Sequence, residues 1–265
     1  MKKWIRITLW VIFAVATIIV LGFSHASQRA KLMEEPTIQL TIQDGIALLT
    51  EDDIIEKLII ENLYWENITR EELNIAAIET YLHNLNEVEH AEVFMDLGTV
   101  WEIAVTIRLP IVRVLTPQNE DGFYIDHRGK IMKTPPVVRP RTLIATGLEN
   151  YKSINWNVNN LINNDSLITQ TILSEIYRIS TYVCNSPLYS AQIVQVHYNE
   201  DGDFVLIPRV GKQEIIFGSA KTDQEVERKF SYLTTFYEEV IPFEGWGTYS
   251  TINLKFENQI VAKKK

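Results

Sequence analysis

Five histidines, at positions 25, 83, 90, 127 and 197, and one cysteine, Cys184, are the softer metal ligands of this chain. A structural zinc site draws its four ligands from closely spaced pairs, and no such pair occurs here. The histidines therefore read as scattered surface or turn residues. Glu200-Asp201-Gly202-Asp203 has the carboxylate density of a calcium loop but lacks the further ligands at alternating positions. It reads as a solvated hairpin turn. Gly211-Lys212 has neither a glycine-rich run nor a following Ser or Thr, so it is a strand connection rather than a phosphate loop. No G-x-S-x-G occurs, and the carboxylates gather at helix starts, where capping accounts for them. Cys184, in the last turn of a predicted helix, reads as a buried small hydrophobe. Asn67-Ile68-Thr69 and Asn164-Asp165-Ser166 match a glycosylation sequon that matters only on a eukaryotic secretory route, and Thr69 is better explained as a helix cap. The expectation is a chain with no catalytic residues, no metal and no cofactor.

Composition limits the partners. With 34 acidic against 25 basic residues the formal net charge is -9. The few Lys and Arg clusters lie at the chain ends, so the clustered cations that phosphate neutralisation requires are missing and nucleic acid is not an expected partner. A 46% hydrophobic, 22% charged composition is globular. A lone cysteine cannot form an internal disulfide, so the fold must rest on packing.

No charged residue occurs from Ile7 to Gln28, and Leu9 to Leu21 is almost wholly apolar. A helix of about 20 such residues spans a bilayer core of about 30 Å. Lys2, Lys3 and Arg6 precede it, so the positive-inside tendency keeps residues 1–6 in the cytoplasm, makes 7–27 the transmembrane helix and exports the rest. Ser24-His25-Ala26 resembles a cleavage site, which leaves a cleaved signal as the rival. Signal cores run only about 7 to 15 residues, and the longer span favours an anchor. Residues 28–35 read as a polar linker ahead of Pro36.

The pattern beyond Pro36 is α+β. Thr37 to Ile42 alternates as a half-buried strand. Thr50 caps a helix with Glu51, Asp52 and Asp53 in its first turn and Ile54, Ile55, Leu58 and Ile59 inward. Thr69 and Glu72 form a capping box for a second helix carrying Leu73, Ala76, Ala77 and Leu82 inward. Strands follow at Glu89 to Met95 and from Trp101, where Trp101, Ile103, Val105, Ile107 and Leu109 share a core face and Arg108 faces away. From Gly122 shorter strands mark a second domain, with Phe123 to Asp126, Thr142 to Thr146, a Gln192 to Pro208 hairpin and Ile215 to Phe217. Helices run through Ile172, Ile176, Ile179 and Val183, and from a Thr222–Glu225 capping box to a stop at Pro242. In the last strands Ile252, Leu254 and Phe256 face a core, and Ile260-Val261-Ala262 lies on a sheet edge blunted by Lys263, Lys264 and Lys265.

Read in order, these segments resemble the FtsQ/DivIB cell-division proteins of bacteria, in C-terminal detail the Bacteroidetes-type members. The resemblance runs through the anchor and Thr50-Glu51-Asp52-Asp53-Ile54, then Val88 to Val93 and Arg108-Leu109-Pro110-Ile111-Val112-Arg113-Val114. It continues through Phe123 to Gly129, Leu206-Ile207-Pro208, Ile216-Phe217-Gly218 and Tyr249 to Phe256. It implies a POTRA domain (βααββ) at 36–115, a mixed, mainly antiparallel β domain with packed helices at 116–265, and no catalytic site. It also implies a bitopic inner-membrane protein of the division septum that regulates septal wall synthesis by binding FtsB- and FtsL-like partners. They add a strand at the C-terminal edge, at Lys255, Phe256, Gln259, Ile260, Val261 and Ala262. Proline at Val261 is then expected to remove a donor offered to the partner at little cost to the fold. Other readings are a POTRA-containing export factor and an exported hydrolase.

An uncleaved anchor predicts that membrane-extracted protein retains residues 1–27. N-terminal sequencing checks this, and a mature start near Ser27 would overturn it.

Overall fold

The structure is a computed structural model that describes residues 2–117, 119–134, 138–148 and 172–265. The second sequon, at Asn164, lies outside the described residues. Helix α1, Lys2–Arg29, is long and apolar enough to cross a membrane, and none of its apolar span is buried against protein. Its two threonine hydroxyls are satisfied internally: Thr8 donates to the Trp4 carbonyl at 3.0 Å and Thr17 to that of Phe13 at 2.9 Å. Such back-bonding lets a threonine sit in an apolar helix without an unpaired polar group.

The chain divides into two compact units between Ile107 and Arg108. After α1 the first unit runs β1 (Thr37–Thr41), α2 (Glu51–Ile60), α3 (Ile75–Asn84), β2 (Val88–Met95) and β3 (Trp101–Ile107), the strand and helix order expected. Its sheet has the order β1-β3-β2, with β1 parallel and β2 antiparallel to the central β3. Trp101, Ile103, Val105 and Ile107 are all buried, as their alternation predicts. Thr50 caps α2, and Asp53 accepts from the Thr50 hydroxyl and amide, both at 2.7 Å. These two bonds hold the Asp53 carboxyl below the usual carboxylate range.

Three expectations for this unit are corrected. The Thr69–Glu72 pair exists, with both the Thr69 amide and hydroxyl on Glu72, but it closes a turn ahead of the helix. Asn74 is the true cap, accepting from the Ala77 amide at 3.1 Å, and the shifted start buries Ile78 and Leu82 while Ala76 is exposed. On α2 only Ile54 and Leu58 are buried, whereas Ile59 is exposed, because the four expected positions spread over about 140° of the helix and the packed face is narrower. The linker is not a free spacer. Met33 donates to Ile68 and Glu34 to Thr99, and the Trp101 indole donates to the Glu34 carbonyl at 2.8 Å.

The second unit contains β4 (Pro110–Thr116), β5 (Asn119–Asp126), β6 (Ile131–Lys133), β7 (Leu143–Thr146), α4 (Ile172–Asn185), α5 (Pro187–Gln192) and β8 (Ile193–Tyr198). It continues with β9 (Phe204–Pro208), β10 (Glu214–Gly218), α6 (Asp223–Glu239), α7 (Ile241–Glu244), β11 (Tyr249–Asn253) and β12 (Val261–Lys264). Among the described residues these strands form one sheet in the order β12-β11-β10-β9-β8-β7-β4-β5-β6. The sheet is mixed and mainly antiparallel, with parallel pairs at β4/β7, β7/β8 and β10/β11. Helices α4 and α6 pack through Tyr182, stacked on Phe230 at 4.3 Å, and Phe230 lies against Phe217 of β10. At Gly147, φ +84, a Cβ would stand 1.9 Å from the Tyr198 carbonyl oxygen, so the β7–β8 pair closes only over glycine.

The boundary lies earlier than the 115/116 junction expected, because β4 pairs with β5 and β7 of the second unit. Arg108, read as pointing away from Ile107 and Leu109, is itself buried and donates to Asp126 at 2.7 Å. The other Asp126 oxygen accepts the Arg128 and Lys130 amides, so this carboxylate closes the β5–β6 turn as well. Val226, Phe230, Leu233 and Tyr237 of α6 are buried as predicted. The Thr222–Glu225 box is only half formed: Thr222 accepts the Glu225 amide, but the Glu225 carboxylate turns to Ser219, Lys221 and Lys229. Cys184 is half-buried rather than enclosed, since it falls beside the buried stripe of α4.

Removing one partner of a buried ion pair costs about 3–5 kcal/mol. Asp126→Ala is therefore expected to speed hydrogen exchange across β4, β5 and β6 while leaving the β1–β3 sheet protected. Unchanged protection in β4–β6 would refute it.

Candidate partner-binding edge

The β11–β12 hairpin is placed by a parallel crossover: α6 and α7 carry the chain from β10 to β11, which pairs with β10 at Ile215↔Ile252. Ile252 and Leu254 are buried. The strand ends at Asn253, however, and Phe256, expected in the core, is 45% exposed. Lys255 is drawn back to Asp203 at 2.5 Å, in the β8–β9 turn. That turn, read from Glu200-Asp201-Gly202-Asp203 as a hairpin connection, is one: the Asp203 amide donates to the Asn199 side chain at 2.8 Å. Gln259 and Ile260 lie in the connection, which is pinned to α6 by Arg228–Glu257 at 3.3 Å and by the Asn258 amide on the Tyr232 hydroxyl at 3.1 Å.

Of the six residues expected at the edge, Val261 and Ala262 lie in β12. The strand also takes in Lys263 and Lys264, so the lysines are part of the edge rather than a cap beyond it. β12 pairs antiparallel with β11, Val261 opposite Asn253 and Ala262 opposite Ile252. The Lys265 amide donates to the Thr248 carbonyl. Successive residues of an antiparallel strand direct their backbone groups to opposite sides. Val261 and Lys263 therefore direct theirs toward β11, and Ala262 and Lys264 direct theirs outward, where no described strand pairs with them. Proline at Val261 would thus break the ladder to β11, which corrects the expectation that it removes an outward donor.

The opposite end of the sheet, β6, has three residues. Among the described residues no group of three His, Cys, Asp or Glu side chains is arranged to hold a metal ion. The histidines are less scattered than their spacing implied, since the His83 and His90 rings lie 5.2 Å apart and His90 reaches Glu92 at 3.1 Å.

A family model described as FtsQ/DivIB, C-terminal related, matches residues 109–263, which is most of the second unit and more than half of the chain. The chain belongs to this family. FtsQ/DivIB proteins are non-enzymatic scaffolds of bacterial cell division and act as membrane proteins at the division site, and α1 is consistent with a single-pass anchor. No curated protein matches the chain. The match begins at Leu109, one residue after the Ile107/Arg108 division, so family and contact boundaries agree.

Sequence reasoning passed over Phe243 and Trp246, which stand 87% and 39% exposed beside the C-terminal end of β12. The signal was available: Phe243-Glu244-Gly245-Trp246-Gly247 sets two aromatics among glycines between a helix stop and a strand.

The direction of the amides gives a stability test on the detergent-solubilised protein. Val261→Pro should lower the unfolding free energy by about 1–3 kcal/mol, through the lost ladder bond and the partner group left unpaired. Ala262→Pro should change it by less than about 0.5 kcal/mol. Equal effects in denaturant titrations would mean that the assigned amide directions are wrong.

Proposed function

We propose that this FtsQ/DivIB-family chain is a bitopic divisome assembly protein that links and regulates septal cell-wall synthesis. It binds FtsB/FtsL-like bitopic partners by taking a strand onto the outer flank of β12. In this reading residues 1–6 are cytoplasmic, α1 is the anchor and both compact units lie in the periplasm, in keeping with Lys2, Lys3 and Arg6 ahead of the apolar span. The first unit acts as a POTRA domain, which its strand-helix-helix-strand-strand order supports.

The observation that carries the proposal is the outward flank of β12, where the amides and carbonyls of Ala262 and Lys264 have no strand partner among the described residues. Strand addition draws affinity from such groups and specificity from alternate side chains. A few bonds at about 0.5–1.5 kcal/mol each give a reversible contact. Anchoring both partners in one membrane raises their effective concentration and compensates for the modest interface. Phe256 and Val261, both half exposed, supply apolar surface on the same hairpin, while Lys255 contributes less because its ammonium is held by Asp203. Gln259 and Ile260 set where a partner strand begins.

Cells relying on Ala262→Pro should grow as filaments with unfinished septa at normal levels of membrane-inserted protein. Native septation by this variant would refute strand addition at β12.

A further inference from the structure

Beyond the edge strand, the turn that follows α6 has the properties of a second contact. The Phe243 ring is 87% exposed, among the most exposed large apolar side chains of the second unit. Trp246 is held on one side by Tyr237, at 5.2 Å between ring centroids, and 39% of it is open. Cβ atoms built at Gly245 and Gly247 would meet nothing within 4 Å, so the backbone on either side of Trp246 borders open space. This turn is fixed to the edge: Lys264 pairs with Glu244 at 2.8 Å, the Thr248 hydroxyl donates to the Glu244 carbonyl, and the Lys265 amide donates to Thr248. A strand pairing along β12 reaches Lys264, whose ammonium rests on Glu244, the residue that follows Phe243 in this turn.

The charge of the edge specifies the occupant. In a chain of net charge -9, β12 carries Lys263 and Lys264 and is followed by Lys265. Lys264 is neutralised by Glu244, and the ammonium groups of Lys263 and Lys265 have no carboxylate partner among the described residues. A second copy of this chain added at β12 would bring a second lysine run onto the same four-residue edge, and like charges gathered there repel. An acidic segment meets the opposite situation.

We propose that the Phe243–Trp246 turn and the β12 edge form one continuous docking surface for an acidic, extended segment of a partner protein. The segment pairs along Ala262 and Lys264, places carboxylates toward Lys263 and Lys265, and seats an apolar side chain on Phe243 and Trp246. This rests on β12 being a partner edge, and the test separates the two.

The photoreactive residue benzoylphenylalanine is placed at position 262 in one strain and at position 243 in another, in the full-length chain, and growing cells are irradiated. Both positions should cross-link to the same segment of one protein, found by mass spectrometry to be rich in Asp and Glu. Phe243→Ser should lower the yield from position 262 about tenfold, as loss of one apolar anchor does. Capture at 262 but not at 243, or an undiminished yield with Phe243→Ser, would refute the turn and leave the edge standing. No capture at either position would refute both. Capture of a basic segment or of a second copy of this chain would overturn the assigned occupant.

Discussion

An open sheet has two flanks on which backbone amides and carbonyls face away from every other strand, and much of the second unit can be understood from how it treats them. At one end β6 has three residues, which presents little to template. At the other, the crossover through α6 sends the chain to the far side of β10, and a hairpin then places β12 outermost. The two flanks are unequal by construction. Among the described residues of the two flanks, β12 is the one that combines exposed apolar side chains with uncompensated positive charge.

Holding that hairpin in place requires a well-ordered interior, and two buried cations are part of it. Lys229 of α6 is buried and donates to the Ser219 carbonyl and to Glu225, both at 2.6 Å. Burial opposes the Glu225 carboxylate, yet bonds from Lys229, Ser219 and the Lys221 amide hold it below its usual range, while burial draws the Lys229 ammonium down. The pair sits where β10 hands over to α6, so it fixes the entry of the crossover. Arg108 and Asp126 do the corresponding work at the start of the unit. Buried charges of this kind add little net stability relative to apolar replacements, but they tolerate few alternative arrangements.

Much of this architecture was legible in the residues. Alternation in Trp101 to Ile107, the helical spacing of Val226, Phe230, Leu233 and Tyr237, and the Asp201-Gly202 turn each have one dominant physical reading, and each is observed. The misreadings share a cause. Thr69 and Asn74, five residues apart, both offer an N-cap, and the helix that buries Ile78 and Leu82 starts from the second. Alternation says only that Arg108 points away from Ile107 and Leu109; that it is buried follows from a carboxylate partner 18 positions away, beyond the reach of any local pattern. The same limit applied at the edge: β12 was legible from its terminal position, whereas the direction of each amide and the nearness of Phe243 depend on register.

The tie between residues 31–34 and the first unit has a mechanical consequence. Arg29 ends α1, and by Lys31 the chain is already bonded to Arg70 of that unit. No slack lies between them, since the carbonyl of Arg29 itself accepts the Glu71 amide and its guanidinium reaches the Glu71 carboxylate. With α1 in a bilayer, this unit is leashed within about a nanometre of the lipid headgroups. It would search for contacts in a thin layer along the membrane surface, and force applied to it would pass directly to the helix instead of being absorbed by loose chain.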